Sequence, residues 1–390
     1  MRLMLSCSEL GLGHVSRLTV LGKRLEAKGN QLFFFSGGNA YKLLKKEFRN
    51  VHHCTPVGWY ENAHGIIVSA SILNILFPLP RVNPEREVLD FKLPSGIETI
   101  RRYYDLRKNI LKIKPDVIVS DSDLHAVRLA HRWRFPSVYI TNVIRPSYSF
   151  PALLVPGERF AERYVRSCSK IVVPDLPPPY TICEYNLGNL EDIKVAEKVE
   201  FVGSFIDAAS TKGSKNYIFA SISGPIGTRF RLKKLVIPVL SRLETKSIVS
   251  LGEYGDKKVA KIGKCTLHTW LSPQERSDLM ANAKLVIFSG GHNTCFEVVK
   301  YAKPCICIPT QPEQFANAKK LQDMRCSIIA KNADQLMQAL REMEKNIDVY
   351  RRNVQKLSQY ANGFKGVDRT VEIIEEVAQE NLEAKGGFCA

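Results

Sequence analysis

The residues most able to do chemistry lie between Phe288 and Ala318, in the run FSGGHNTCFEVVKYAKPCICIPTQPEQFANA. The apolar segment LVIF, residues 285–288, reads as a strand that stops at the small residues Ser289, Gly290 and Gly291. A helix is expected to begin near His292 and Asn293 and to run to about Tyr301. Glycines at such a turn let a ligand approach the unpaired amides of a helix N-terminus. Those amides carry partial positive charge, so the turn suits a phosphate or diphosphate. Glu297 lies one turn further on, on the same face as Asn293. A carboxylate there could accept hydrogen bonds from a ribose diol. The bland alternatives are a plain turn residue for His292 and a solvated helix residue for Glu297. Turn and carboxylate together favour a nucleotide-sugar pocket.

These residues need a parallel crossover unit to hold them. A second strand, CICI (305–308), follows Pro304, and a polar loop, TQPEQ, is expected to lead into a helix beginning near Phe315. The first half of the chain has the same logic. Strand RLMLSCS, loop ELGLG, a helix from about His14 to Lys28 and strand QLFFFS form a β-α-β start, with Gly29 closing the helix. A basic helix from about Ser95 to Lys114 is broken by Pro115, and strand DVIVS (116–120) then ends at Asp121. The small, polar segment 204–216 reads as a linker, after which strand YIFASIS begins the pattern again. The expected fold class is therefore α/β, with two Rossmann-like domains facing a central cleft. The division is 1–205, 206–360, and a C-terminal stretch 361–390 whose helix packs back on the first domain before a frayed tail. Ligands of such sheets sit at the carboxyl ends of the strands.

Composition narrows the class. The 390 residues are 45% hydrophobic and 24% charged, as in an ordinary globular chain with room for two domains. The apolar run at the N-terminus is too short for a signal peptide, and the longest apolar stretch, about 65–79, is too broken to span a bilayer. Ten cysteines occur without paired spacing, which suits buried reduced thiols and a cytoplasmic setting. Cys305 and Cys307 lie within an apolar strand, where packing outweighs metal binding. Net charge is +17, and residues 1–180 hold 26 Lys and Arg against 15 Asp and Glu, so +11 falls in the first half. Such a surface can serve anionic lipid or phosphorylated substrates; no zinc-finger spacing or RNP-type strand points to nucleic acid. The apolar segment GIIVSASILNILFPLP (65–80) and the basic helix after it are either core and solvated face or an acceptor groove resting on the inner face of a membrane.

Taken together, these pieces resemble the two-domain GT-B glycosyltransferases, the group of MurG, galactolipid synthases and UDP-glucuronosyltransferases. Three blocks carry the resemblance. GLGHVSR (11–17) is similar to the GxGH loop after that group's first strand. SGGHNTCFEVVKYAKPCICIP is similar to its donor block, and PTQPEQFANA follows its P-x-x-x-(D/E)-Q-x-x-N-A pattern. The resemblance implies that Gly11 and Gly13 belong to the donor-binding set, that Ser289, Gly290, Gly291, His292 and Thr294 hold the donor diphosphate, and that Glu297 binds ribose. Glu313 and Gln314, with Gln311 close, would read the donor sugar. Ser223 and Gly224 would form a second phosphate-side loop. Trp270 would stack on the base, although WLSPQ is one residue longer than the WxPQ of related plant enzymes. His14 would be the general base that deprotonates the acceptor, and Asp121 would orient and stabilise its imidazolium. Helix amides would meet the charge of the departing UDP, so no metal or cofactor is expected. The string Asp121-Ser122-Asp123 is also a DxD pattern, but it stands far from the donor block.

The implied activity is inverting transfer from a UDP-sugar to an acceptor hydroxyl, on a sugar or a lipid-linked acceptor. Its nearest rival is a UDP-sugar hydrolase, because GxGHxxR also resembles PseG. A non-catalytic nucleotide-sugar-binding subunit is the alternative outside enzymes.

Overall fold

The computed structural model describes the chain except for residues 10–11, 56–58, 62–66, 70–79, 83–88, 92–94, 146–154, 207–214, 225, 254–255 and 387–390. Gly11, most of the apolar segment 65–80 and most of the expected linker lie outside the described residues.

Two seven-stranded sheets form the framework. In spatial order the first contains Val199–Phe201, Lys170–Val173, Ser137–Ile140, Val117–Asp121, Arg2–Cys7, Gln31–Ser36 and Val51–His53, every pair parallel. The second runs Val259–Ile262, Cys265–His268, Ser247–Ser250, Ile218–Ser221, Leu285–Phe288, Cys305–Cys307 and Ser327–Ile329. It is parallel except for the edge strand Val259–Ile262, which pairs antiparallel with Cys265–His268. Helices cover both faces of a parallel sheet, so its strands are apolar on both sides instead of alternating. Leu3, Met4, Leu5, Val117, Ile118 and Val119 are all fully buried, as that requires. The nine described cysteines are likewise buried and unpaired.

The helix Gly13–Ala27 sets Val15, Leu18, Leu21 and Leu25 against the first sheet. It approaches closely at Gly22, where a Cβ would stand 2.7 Å from Phe34 Cζ. At the far end, the helix Ala333–Ala361 covers the second domain with Leu336, Leu340 and Met343. The chain then crosses back, and the helix Gly366–Gly386 buries Val371, Ile374 and Val377 with Leu3, Leu5 and Val15 of the first domain. That return passes Gly203, which has φ +84° and would drive a Cβ to 2.3 Å from Phe364 Cβ.

Three local expectations differ. The helix expected near Phe315 begins at Pro312, because Pro312 occupies its first turn and Gln311 and Gln314 form a reciprocal capping box. TQPEQ is thus a cap and a first turn more than a loop. The edge strand Val259–Ile262 went unread because all four residues are exposed and carry no burial pattern. The basic helix Ser95–Ile113 is not a uniformly solvated face: Arg102 shares a buried stripe with Leu106 and Ile110 and is fully enclosed.

Its counter-ion is Asp123, also fully buried, with Arg102 Nη2 at 2.5 Å and Nε at 3.2 Å. The same guanidinium donates to the Thr55 carbonyl at 2.8 Å, and Ser6 donates to Asp123. Burial alone would push the Asp123 carboxyl up, and the charge and hydrogen bonds of Arg102 override it and hold it below the usual range. A buried pair loses most when one partner is removed. Arg102→Ala should therefore cost about 3–5 kcal/mol in urea unfolding, while Arg101→Ala, on the exposed face, should cost under about 0.5 kcal/mol. Equal effects would contradict this account.

Candidate active site

Strand ends deliver the groups. Strand Arg2–Cys7 leads through residues 8–12 into the helix Gly13–Ala27, which carries His14 in its first turn, and the neighbouring strand Val117–Asp121 ends on Asp121. His14 Nδ1 lies 2.8 Å from Asp121 Oδ1, with the imidazole 22% exposed and the carboxylate fully buried. Nδ1 also lies 3.0 Å from Arg17 Nη2, a donor that calls for a lone pair there, while the carboxylate calls for a proton. In the tautomer that serves the carboxylate, Nε2 keeps a lone pair able to take a proton.

Arg17, three residues after His14 on the same helix face, completes this cluster. Its Nε and Nη2 grip Asp121 at 2.9 and 2.7 Å. Burial would raise the Asp121 carboxyl, but Arg17 and then His14 outweigh it and bring it down to about 2. The sequence reading missed Arg17; the i, i+3 spacing in HVSR was the available signal.

The second domain meets this cluster directly. Strand Leu285–Phe288 gives way to Ser289, to Gly290 at φ +88°, and to the helix His292–Lys300 capped by Gly291. Only glycine suits position 290, since a Cβ would also lie 2.6 Å from the Gln314 carbonyl oxygen. Asn293 then bridges the domains, accepting from Arg17 Nη1 at 3.1 Å and donating to the Gly13 carbonyl at 3.1 Å. His14 and the N-terminus of the glycine-turn helix are thus brought together across the cleft.

Further cross-domain contacts lie along the same seam. Asn142, after strand Ser137–Ile140, donates to Glu313 Oε1 at 2.8 Å. Asn186 donates to Asn317 Oδ1 at 2.9 Å, and Asn317 donates to the Gly290 carbonyl at 3.1 Å. The His292 imidazole points back to the first domain, with Nε2 3.0 Å from Asp175 Oδ2. Its side chain is therefore an interdomain tie, whereas its backbone belongs to the helix N-terminus.

The other expected residues fall as follows. Glu297 lies on the first turns of the helix with Thr294, ion-paired to Arg276, which the sequence reading did not single out. Ser223 and Gly224, the latter at φ +105°, form the turn after strand Ile218–Ser221. Trp270 is half-buried just before the helix Pro273–Asn282, whose N-terminus is fixed by a Ser272–Glu275 capping box. Gln314 Oε1 accepts from the Thr310 amide and hydroxyl, each at 3.0 Å, and Gln311 Nε2 donates to Thr228 at 3.1 Å. Those carboxamide atoms serve the cap and the turn.

As for metals, the Asp121 and Asp123 carboxylates of the DxD string are each gripped by an arginine. Among the described residues one trio, Asp175, Cys183 and His292, gathers potential ligand atoms within 4.8 Å. Asp175 already accepts from the Leu176, Ile182 and Cys183 amides, at 2.7 to 3.0 Å. Burial, then Asp175, pushes the Cys183 thiol up. The trio is a satisfied hydrogen-bond centre.

Residues 229–368, which include the glycine turn, Glu297 and the PEQ segment, match the glycosyltransferase family 28 C-terminal domain. An uncharacterized glycosyltransferase of Methanosarcina mazei is 24% identical over 402 residues, covering 98% of this chain and 100% of its own length. A UDP-N-acetylglucosamine–N-acetylmuramyl-(pentapeptide) pyrophosphoryl-undecaprenol N-acetylglucosamine transferase of Clostridium perfringens is 26% identical over 329 residues, covering 74% of this chain and 84% of its own. Among solved structures, the glycotransferase of kitacinnamycin superposes with a TM-score of 0.67 at 14% identity, over 96% of this chain and 98% of that one. Acinetobacter baumannii MurG does so with 0.62 at 15% identity, over 96% and 99%. The fold is the expected GT-B arrangement.

Asp121 also sets an acid limit. Its folded value of about 2 lies below its ordinary 3.8, so its contribution to stability is complete above the unfolded value and is lost as pH falls through about 2. Urea unfolding between pH 6 and pH 2 should show wild type losing stability chiefly below about pH 4. Asp121→Asn should flatten that limb; an unchanged slope would contradict the assignment.

Proposed function

We propose that this protein, which carries a glycosyltransferase family 28 C-terminal domain on the GT-B fold, is an inverting glycosyltransferase that moves a sugar from a UDP-sugar to an acceptor hydroxyl. The observation that carries this reading is the Asn293 bridge, which sets the His14–Asp121–Arg17 cluster against the N-terminus of the glycine-turn helix. In the proposed step, His14 Nε2 takes the acceptor's hydroxyl proton as its oxygen attacks the anomeric carbon. The bond between that carbon and the diphosphate oxygen breaks on the opposite face, and UDP leaves with the electron pair. Amides of the turn and helix start would meet the growing charge, so the step calls on no metal. Asp121 would hold the imidazole in its working tautomer, and Arg17 would hold Asp121. Glu313, oriented by Asn142, and Gln314, whose Oε1 is held by the cap, would meet the donor sugar.

UDP as the carrier is supported by the Clostridium perfringens relative, whose name specifies a UDP-sugar donor and a lipid-linked acceptor. A lipid-linked acceptor also suits the surface of the first domain. Ile100, Tyr104 and Leu111 are exposed on one helix and Trp133 and Phe160 on two others, interleaved with Arg101, Lys108 and Lys112. Arg107 stacks on both Tyr104 and Trp133. Apolar rings with a basic surround suit the interface of an anionic membrane. Among the described residues no helix is long and apolar enough to cross one.

Two outcomes are expected. UDP release from a panel of UDP-sugars should require a lipid-extract acceptor, and His14→Ala should slow it by about 10²- to 10⁴-fold with UDP binding retained. Release without acceptor would point to the hydrolase, and full activity of His14→Ala to a role other than base catalysis. In liposome flotation the protein should favour anionic over neutral vesicles, with Ile100→Ser/Tyr104→Ser weakening the preference. Equal binding to both vesicle types, or to neither, would remove the membrane from the account.

A further inference from the structure

Arg276 has no part in the scheme above, yet it touches three groups on the donor side. It stands in the second turn of the helix Pro273–Asn282, fixed in place by the Ser272–Glu275 capping box. Its Nη1 pairs with Glu297 Oε1, while Nη2 lies 3.1 Å from Ser221 Oγ and 3.4 Å from Thr294 Oγ1. Ser221 ends the central strand of the sheet, and Thr294 and Glu297 share a face of the glycine-turn helix. One guanidinium therefore ties the end of a strand to the carboxylate and the hydroxyl of the helix that leads out of the glycine turn.

The chemistry of those contacts is specific. A guanidinium has donors and no acceptor, so the Ser221 and Thr294 hydroxyls both accept from it and each keeps its own hydrogen to donate. Two hydroxyls left as donors beside a helix N-terminus suit a phosphate oxygen. Glu297 poses the opposite problem, because an uncompensated carboxylate here repels a diphosphate. Pairing with Arg276 cancels that charge and fixes one carboxylate oxygen, leaving the other to accept a ribose hydroxyl.

We propose that Arg276 is a positioning residue of the nucleotide subsite, which makes a carboxylate that reads ribose compatible with an adjacent diphosphate. This rests on the UDP-sugar reading above and adds to it the selection of nucleoside diphosphates by charge. Removing Arg276 exposes the Glu297 charge, so the loss of affinity grows with the charge on the ligand. Removing Glu297 as well reverses part of that loss, which no merely structural role of Arg276 predicts.

The test is calorimetric binding of uridine, UMP and UDP to the full-length wild type and to Arg276→Gln, Arg276→Lys and Arg276→Gln/Glu297→Gln, with melting curves to confirm folding. Arg276→Gln should weaken UDP by about 10- to 100-fold and uridine by less than about threefold, with UMP between them. Arg276→Lys, which keeps the charge, should fall near wild type, and the double variant should bind UDP more tightly than Arg276→Gln. Equal losses for uridine and UDP, or no recovery in the double variant, would overturn the role of Arg276 alone. A wild type that binds none of the three ligands would overturn the UDP reading and this proposal together.

Discussion

The rest of the structure depends on a buried negative charge at the end of one strand. Asp121 has no access to water, and burial alone would raise its carboxyl and disfavour the charge. Arg17 outweighs that with two charge-assisted hydrogen bonds, and in doing so its guanidinium is fixed with a third nitrogen facing Asn293 of the other domain. The same carboxylate orients His14. One desolvated charge thus fixes a side chain able to take a proton, the arginine behind it and the point where the two domains touch. A second buried pair, Arg102 with Asp123, stands two residues further along the chain and ties the basic helix to the same strand end. Both pairs are buried, where an unpaired partner costs most.

The glycine-turn side of the cleft is built by backbone geometry more than by charge. Gly290 is left-handed and pressed against the Gln314 carbonyl, so the turn and the helix Pro312–Asp323 lock one another in place. Asn317 closes the contact by donating to the carbonyl of Gly290 itself. Gln311 and Gln314 cap that helix, and Thr310 and Thr228 join the cap to the helix Ile226–Leu240. Such a scaffold holds helix-start amides in position before any ligand arrives, which is how an electrostatic site avoids reorganising during reaction. Lengthening the turn or substituting its glycines would disturb the scaffold as well as the contact surface.

Much of this was legible in the chain. Apolar runs of four to six residues ending at glycine, serine or aspartate marked parallel strands buried on both faces, and the repeat of that pattern marked two domains. His14 and Asp121 could be placed at the same sheet edge because both follow strands. What stayed hidden was pairing across long separations. Nothing in a basic helix distinguishes Arg102, which is enclosed, from Arg101, which is exposed, except its register with Leu106 and Ile110. Arg276 lies in a polar stretch with no apolar pattern to mark its contacts, and its partner is 21 residues away. Asn142 and Asn293 bond across 171 and 280 residues. The start of the following helix was also hidden: a polar TQPEQ looks like a loop, while Pro312 and the reciprocal cap of Gln311 and Gln314 make most of it the first turn of a helix.

The central claim is that the two domains form one site, with a diphosphate at the start of the helix His292–Lys300 and the His14 imidazole across from it. A crystal structure of the full-length protein with UDP tests this most directly. The account predicts that phosphate oxygens contact the backbone amides between Gly291 and Thr294, that the ribose meets Glu297, and that His14 Nε2 faces the open space beside the terminal phosphate. UDP bound elsewhere, or a His14 turned away from that space with its Asp121 contact broken, would contradict it.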